Sequence, residues 1–359
     1  MKLPIESPND AILQEDLELL AQSLPAEDLQ GSTILITGAT GLLGAQTVKA
    51  LLCLNRTRGT GIQVLAWVRS QAKAQKVFGS LLELDELQLV VGDITDRPEL
   101  PKAVDYIIHT ASATSSRYFV THPVETIATA LDGTRNLLEL AREKQVKGFL
   151  YLSSLEVYGT PDGSKAAISE EDYGYIDPLS VRSSYSEGKR LVECLCASYA
   201  GEYQVPVKIA RLSQTFGAGV EYNDGRVFAE FARCAIEGKD IVLHTQGRTV
   251  RSYCYTRDAI SAFFTVLLYG EQGRAYNVTN RDTVCSIREM AELVCSLYPQ
   301  QGICVRVDIP EDVAALGYNP EMVIRLDSSR LEALGWRPTV GLAEMFRRLI
   351  ASMQDKSLL

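Results

Sequence analysis

From Ser32 to Leu54 the chain reads STILITGATGLLGAQTVKALLCL, and this stretch leaves few architectures open. A continuous apolar run, STILIT, is followed by the turn GATGLLG and then by AQTVKALLCL, whose apolar positions recur with helical spacing. A strand that is apolar on both faces belongs inside a sheet covered by helices, the usual setting of parallel sheets. Gly38, Gly41 and Gly44 stand between strand and helix. The first permits the tight turn, the second lets a pyrophosphate approach the backbone, and the third lets helix and strand pack closely. The helix start then offers unpaired N–H groups to an anion, with Thr40, Leu42 and Leu43 beside it. The stretch predicts a dinucleotide site.

Short apolar runs continue in QVLAWV, LQLVVGD, VDYIIHTAS and GFLYLSS, mostly separated by helical segments such as THPVETIATALDGTRNLLELAREK. The alternation predicts an α/β protein with a Rossmann-type doubly wound parallel sheet. After the helix SYSEGKRLVECLCASYAGEY and the strand VPVKIARL it weakens, which predicts a smaller C-terminal α+β substrate lobe over the sheet's carboxyl edge, where open sheets bind ligands. The expected boundaries are 31–212 for the dinucleotide-binding domain, with 244–275 returning to it, and 213–243 and 276–359 for the lobe. Residues 1–30 form an N-terminal extension. In it, SPNDAILQEDLELLAQSLP predicts an amphipathic helix capped by Ser7 or Asn9 that packs on the domain surface.

Composition narrows the partners. The 359 residues are 46% hydrophobic and 23% charged, as in an ordinary soluble globular protein, with a net charge of −9. That balance argues against nucleic acid or an anionic membrane as the main partner. The eight cysteines form no C-x-x-C pair and the three histidines show no ligand spacing, so neither a disulfide framework nor a metal centre is expected. MKLPIESPND lacks the character of a signal peptide and no apolar run reaches membrane length, so a cytoplasmic protein is expected.

Three further stretches carry chemistry. The second strand ends WVRS, placing Arg69 where NAD enzymes carry an acid, and a guanidinium there suits a 2′-phosphate, so NADP is favoured over NAD. GDI, with Asp93 and Ile94 after the third strand, predicts a contact to the adenine edge. SSYSEGK places Tyr185 and Lys189 one helical turn apart on one face. Tyrosine ordinarily ionises near ~10, and the ammonium together with a positive nicotinamide ring is expected to lower it. In YLSSLEVYG, Ser154 would hold a substrate hydroxyl while Tyr185 removes its proton. Two residues on, Glu156 puts a carboxylate at the mouth of an apolar strand.

Taken in order, TGATGLLG, GDI, HTASA, YLSSLEVYG, YSEGK and ARLSQTFG resemble the extended short-chain dehydrogenase/reductases of the NAD-dependent epimerase/dehydratase family, over about residues 31–350. SEEDYGYIDPLSVRSSYSEGKR and NDGRVFAEF resemble the UDP-glucuronate decarboxylase branch, with the dTDP-glucose 4,6-dehydratases close by. The resemblance implies a tightly bound, recycled NAD or NADP that transiently oxidises the C4 hydroxyl of a nucleotide-diphosphate sugar. It implies cofactor contacts at Thr110, Ala111 and Ser112, the last also touching substrate. Glu156 then becomes an acid or base at C5.

Leu155 departs from the dehydratases, which use an aspartate there to protonate the leaving C6 hydroxyl. Leucine cannot do so, which favours decarboxylation of a uronic acid. Gln214 and Ala130 stand where relatives carry asparagine. Arg226, Arg251 and Arg325 match basic positions that hold the diphosphate, and Arg251 could equally face a uronate carboxyl. Trp336 in LGWRP is expected to serve packing. Helices around 124–143 and 185–199 match those that pair subunits into a homodimer. The alternatives are a 4-epimerase, which has no use for Glu156, an NADPH-dependent carbonyl reductase, and a non-catalytic dinucleotide sensor.

Overall fold

The computed structural model describes residues 4–96, 98, 100, 103–112, 116–310 and 321–357. Its strands are β1 (Thr33–Thr37), β2 (Gln63–Val68), β3 (Leu87–Val91), β4 (Tyr106–His109), β5 (Gly148–Ser154), β6 (Val207–Leu212) and β7 (Gln214–Phe216). They continue as β8 (Ile241–Leu243), β9 (Val250–Tyr255), β10 (Ala275–Val278), β11 (Asn280–Ser286), β12 (Val305–Val307) and β13 (Val323–Ile324). Seven of these form one sheet in the order β10-β6-β5-β4-β1-β2-β3, every pairing parallel. The order reverses between β1 and β4, and the crevice at such a switch point is where doubly wound sheets take their ligands.

Strand pleating sorts the apolar residues between the two faces. Ile34 and Ile36 enter a core with the Leu42–Arg58 and Thr256–Tyr269 helices. Leu35, Leu65, Trp67 and Phe149 enter the opposite one, against the Pro123–Lys144 and Ser184–Tyr203 helices. Both of those helices end at a left-handed glutamine, Gln145 or Gln204, where glycine is the commoner residue.

The smaller lobe has its own core around Phe216, Phe228, Phe231, Tyr253 and Phe346. Its main sheet is built on β9, with β11 antiparallel on one side and β7 and β13 parallel to it. The segment 244–275 is split between the bodies. β9 belongs to the lobe sheet, whereas the Thr256–Tyr269 helix covers the large sheet, whose edge is the following β10. Trp336 packs in the main core and donates from its indole N–H to Ser261 Oγ at 2.9 Å.

The N-terminal helix spans Ala11–Ser23, and its cap is Asp10 rather than Ser7 or Asn9. The Asp10 carboxylate accepts from the Leu13 N–H at 2.9 Å. The helix does more than lie on a surface. Leu13, Leu17, Leu20 and Ala21 join the main core, and Asp16, on the same buried face, is 3% exposed. No helix among the described residues is long and apolar enough to cross a membrane.

Candidate active site

The glycine turn closes tightly between β1 and the Leu42–Arg58 helix. Gly38 has φ +61, and a Cβ there would lie 2.7 Å from Ala111 Cα. A Cβ on Gly44 would lie 2.4 Å from the Gly38 carbonyl oxygen. The turn therefore has no room for a side chain at Gly38 or Gly44, and the backbone N–H groups it presents at the helix start fit the pyrophosphate of a dinucleotide. Thr110 ties the neighbouring β4 end to this turn, its hydroxyl donating to the Thr37 carbonyl at 2.7 Å. The Ala111 N–H in turn donates to Thr37 Oγ1 at 3.3 Å. Thr40, Leu42 and Leu43 are half-buried, Leu42 against the lobe core and Leu43 against the main core.

Arg69 stands exposed past β2. Asp93, just after β3, has its carboxyl held below the usual range by hydrogen bonds from the Thr95 backbone and side chain and by the Arg69 charge. Ile94 is buried beneath the turn, and a Cβ on Gly133 would meet its side chain at 2.3 Å. Ala130 packs beside the same core, and its carbonyl accepts from Thr134 Oγ1 at 2.7 Å.

Ser154 ends β5, and its Oγ accepts from the Glu156 N–H at 3.3 Å, capping a single 3-10 turn. The Ser184–Tyr203 helix begins opposite and brings Tyr185 to the same point, where the Ser154 and Ser112 hydroxyls hydrogen-bond the phenol. Phe119 stacks on the Tyr185 ring with centroids 4.3 Å apart.

The electrostatics differ from the expectation for Tyr185. Burial pushes its phenol up to about 12; Ser154, Ser112 and the Arg182 charge oppose the rise, and Glu156 adds to it. Lys189 is anchored on a backbone group: its Nζ donates to the Leu152 carbonyl at 2.7 Å and lies 5.7 Å from the Tyr185 ring centroid. Burial also brings the Lys189 ammonium down to about 8. The net effect of the protein's own groups is to raise the phenol, and the positive nicotinamide ring of a bound dinucleotide would oppose that rise.

Glu156 and Leu155, adjacent in sequence, part company in space. Glu156 Oε2 accepts from Ser186 Oγ at 3.2 Å, and its Oε1 lies 3.8 Å from Arg182. Leu155 is buried in an apolar cluster with Val157, Tyr158, Ile168, Ile324 and Leu326, which joins β5 to the lobe.

The candidate substrate residues scatter over the lobe. Gln214 opens β7, half-buried. Arg226 is paired bidentately with Asp224, at 2.9 and 2.6 Å. Arg251 is buried, with its guanidinium against Met322 Sδ at 3.4 Å. Arg325 lines a cavity of about 350 Å³ together with Gln246, Arg248, Ser286 and Arg288.

Sequence reading had passed over Phe119, Arg182, Ser186, Arg248 and Arg288. Arg182 carried a usable signal, being one turn before Tyr185 at the helix start. Phe119 carried none.

A Rossmann-type sheet, a glycine turn between β1 and its helix, and Ser154 at the end of β5 facing Tyr185 and Lys189 on the Ser184–Tyr203 helix define a dinucleotide-dependent enzyme of the short-chain dehydrogenase/reductase class. The profile of the NAD dependent epimerase/dehydratase family matches residues 34–279. A curated relative, UDP-glucuronic acid decarboxylase 6 of Arabidopsis thaliana, is 31% identical over 312 residues, covering 87% of this chain and 85% of that protein. UDP-glucuronic acid decarboxylase 1 of Danio rerio is 28% identical, covering 88% of this chain and 71% of its own. Among solved structures, UDP-glucose 4-epimerase of Thermotoga maritima superposes with a TM-score of 0.74 at 21% identity, covering 91% of this chain and all of that one. dTDP-glucose 4,6-dehydratase of Bacillus anthracis, solved with NAD, superposes at 0.73 and 19% identity, over 91% and 98% of the two chains. The chain belongs to the NAD-dependent epimerase/dehydratase family, and its cofactor is NAD or NADP.

Proposed function

We propose that this protein is a nucleotide-sugar lyase acting through a transient C4 ketone, and that it decarboxylates a nucleotide-linked uronic acid, UDP-glucuronate above all. The observation that carries the choice is the separation of Leu155 from Glu156. Loss of water from C6 needs an acid at the Leu155 position, and that side chain is sealed in apolar contacts. Carbon dioxide leaves without being protonated, so decarboxylation needs no such acid.

Bound NAD(P)+ supplies the hydride acceptor that makes C4 oxidation possible. Tyr185 takes the C4 hydroxyl proton while Ser154 and Ser112, already bonded to the phenol, orient that hydroxyl. Lys189, anchored on the Leu152 carbonyl, keeps a positive charge below the phenol. Glu156, held by Ser186 and Arg182, exchanges a proton at C5 once the carboxylate has gone.

Arg226, Arg251 and Arg325 grip the nucleotide-diphosphate end, with Arg226 turning from Asp224 to phosphate when substrate binds, and Gln214 contacts the sugar. The protein acts in the cytoplasm as a homodimer joined through the Pro123–Lys144 and Ser184–Tyr203 helices, whose Val124, Ile127 and Leu191 are exposed.

Incubation with UDP-glucuronate, UDP-glucose and dTDP-glucose, read by mass spectrometry, tests the reading. Loss of carbon dioxide from UDP-glucuronate is the expected result. Loss of water from dTDP-glucose would point to a dehydratase, and an unchanged mass with inverted C4 stereochemistry to an epimerase.

A further inference from the structure

The N-terminal helix lies outside the residues that the family profile matches, yet two hydrogen-bond relays run from it to one loop of the substrate lobe. The loop is Gly217–Gly219, which leads from β7, with Gln214, toward Arg226. In the first relay, the Asp16 carboxylate accepts from the Tyr255 hydroxyl, and that oxygen accepts from the Ala218 N–H at 3.3 Å. In the second, the Asp10 carboxylate accepts from Ser352 Oγ at 2.6 Å, and the same Oγ accepts from the Gly219 N–H at 2.9 Å. From the dinucleotide side, Gln46 on the Leu42–Arg58 helix donates to the Ala218 carbonyl at 2.7 Å.

The loop leaves no room for side chains at Gly217 and Gly219 within this clamp. A Cβ on Gly217 would lie 2.4 Å from the Tyr255 ring. One on Gly219, whose φ is +85, would lie 2.6 Å from the Gln46 amide nitrogen and 3.3 Å from Leu13 of the N-terminal helix. Asp10, Asp16, Tyr255 and Ser352 are all essentially buried. Asp16 also faces Arg257 and Arg348, each at 3.0 Å.

Buried charge is an inefficient way to glue a helix down, because desolvation offsets much of the attraction. The apolar face of Leu13, Leu17 and Leu20 already buries the helix in the main core. What the buried carboxylates add is direction, delivered to two backbone N–H groups of one loop.

We propose that the N-terminal helix is a positioning element of the substrate site: through Asp16–Tyr255 and Asp10–Ser352 it fixes Gly217–Gly219 and thereby the placement of Gln214 and Arg226. The functional half of this claim rests on the assignment of those two residues to the nucleotide-sugar substrate, Arg226 at its diphosphate.

The test is the double variant Tyr255→Phe with Ser352→Ala, which removes two hydroxyls and no charge. Hydrogen exchange of residues 214–226 and calorimetric affinity for UDP and for NAD are measured on the full chain. Exchange across 214–226 is expected to rise and UDP affinity to fall about tenfold, with NAD affinity held within about twofold. Leu17→Ala, which thins the apolar face and spares both relays, is expected to lower Tm while keeping UDP affinity. Unchanged exchange, unchanged UDP affinity, or an equal loss of UDP affinity in Leu17→Ala would each overturn the proposal. A wild-type protein that binds no UDP counts against the substrate assignment itself, and the exchange comparison then decides the positioning claim alone.

Discussion

Ser186 Oγ donates to Glu156 Oε2 at 3.2 Å, from the turn of helix that also carries Tyr185. The carboxylate just past β5 is therefore fixed to the same element as the phenol. Converting Glu156→Gln keeps the shape and removes the proton exchange. Turnover of UDP-glucuronate is expected to fall by about 100-fold or more, while single-turnover reduction of the bound dinucleotide, followed by its absorbance, survives. An epimerase would tolerate the change. Ser186→Ala, which only loosens the carboxylate, is expected to cost about tenfold in kcat with KM nearly unchanged.

Leu155 offers a second test, because the dehydratase pattern wants an acid at that position. Its neighbours Ile168, Ile324 and Leu326 are each about 2% exposed, so the side chain fills a closed seam between sheet and lobe. Leu155→Ala is expected to cost about 2–5 kcal/mol in urea unfolding, with decarboxylation kept in the folded fraction. Leu155→Asp would bury a carboxylate without a partner, so it is expected to destabilise further and to gain no water loss from dTDP-glucose. Appearance of a 4-keto-6-deoxy product would show that this position faces the sugar.

Much of this site could be read from the chain, and the reason is locality. The turn from Gly38 to Gly44 and the pair Tyr185 and Lys189 are fixed by spacing within one turn or one helix, and the Ser184–Tyr203 helix has the limits its sequence suggests. Contacts made across the fold left no such mark. Nothing in SYSEGK says that Ser186 will meet Glu156, thirty residues away. Nor does it say that the Lys189 ammonium will be anchored on the Leu152 carbonyl, a backbone group with no sequence signature. The segment holding β9 was expected to return wholly to the large sheet. The adjacent helix does so, while β9 pairs with β7, β11 and β13, partners supplied by distant parts of the chain. The cap of the N-terminal helix shifted from Ser7 or Asn9 to Asp10 because only that carboxylate reaches the Leu13 N–H.

Arg69 is where the choice of dinucleotide can be tested. It is exposed after β2, and its charge acts on Asp93, so a 2′-phosphate there would find a guanidinium and a ribose hydroxyl pair would find no acid at the end of β2. The wild-type protein is expected to bind NADP at least as tightly as NAD. Arg69→Ala should weaken NADP by about tenfold and leave NAD within about twofold, measured by fluorescence titration of each dinucleotide. Equal losses for both would mean that Arg69 serves the pyrophosphate or nothing at all.

Lys189 sets a cost that can be measured against pH. Burial holds its ammonium at about 8, against the 10.5 of an exposed lysine. Between those values the unfolded chain carries a proton on this group that the folded chain lacks, so stability rises with pH across that window. Below pH 8 the folded protein carries the full penalty, about 3 kcal/mol from this group. Lys189→Met removes the titration and also the hydrogen bond to the Leu152 carbonyl, a fixed loss that pH does not alter. In urea unfolding of the dinucleotide-free protein, the wild type is expected to gain about 3 kcal/mol relative to Lys189→Met between pH 7 and pH 10.5. A gap between the two proteins that stays constant over that range would mean that the ammonium is not desolvated, and its charge would then be too well screened to support a phenolate at Tyr185. The same variant should lose C4 oxidation at every pH, since the positive charge beneath the phenol is gone whether or not the protein is more stable without it.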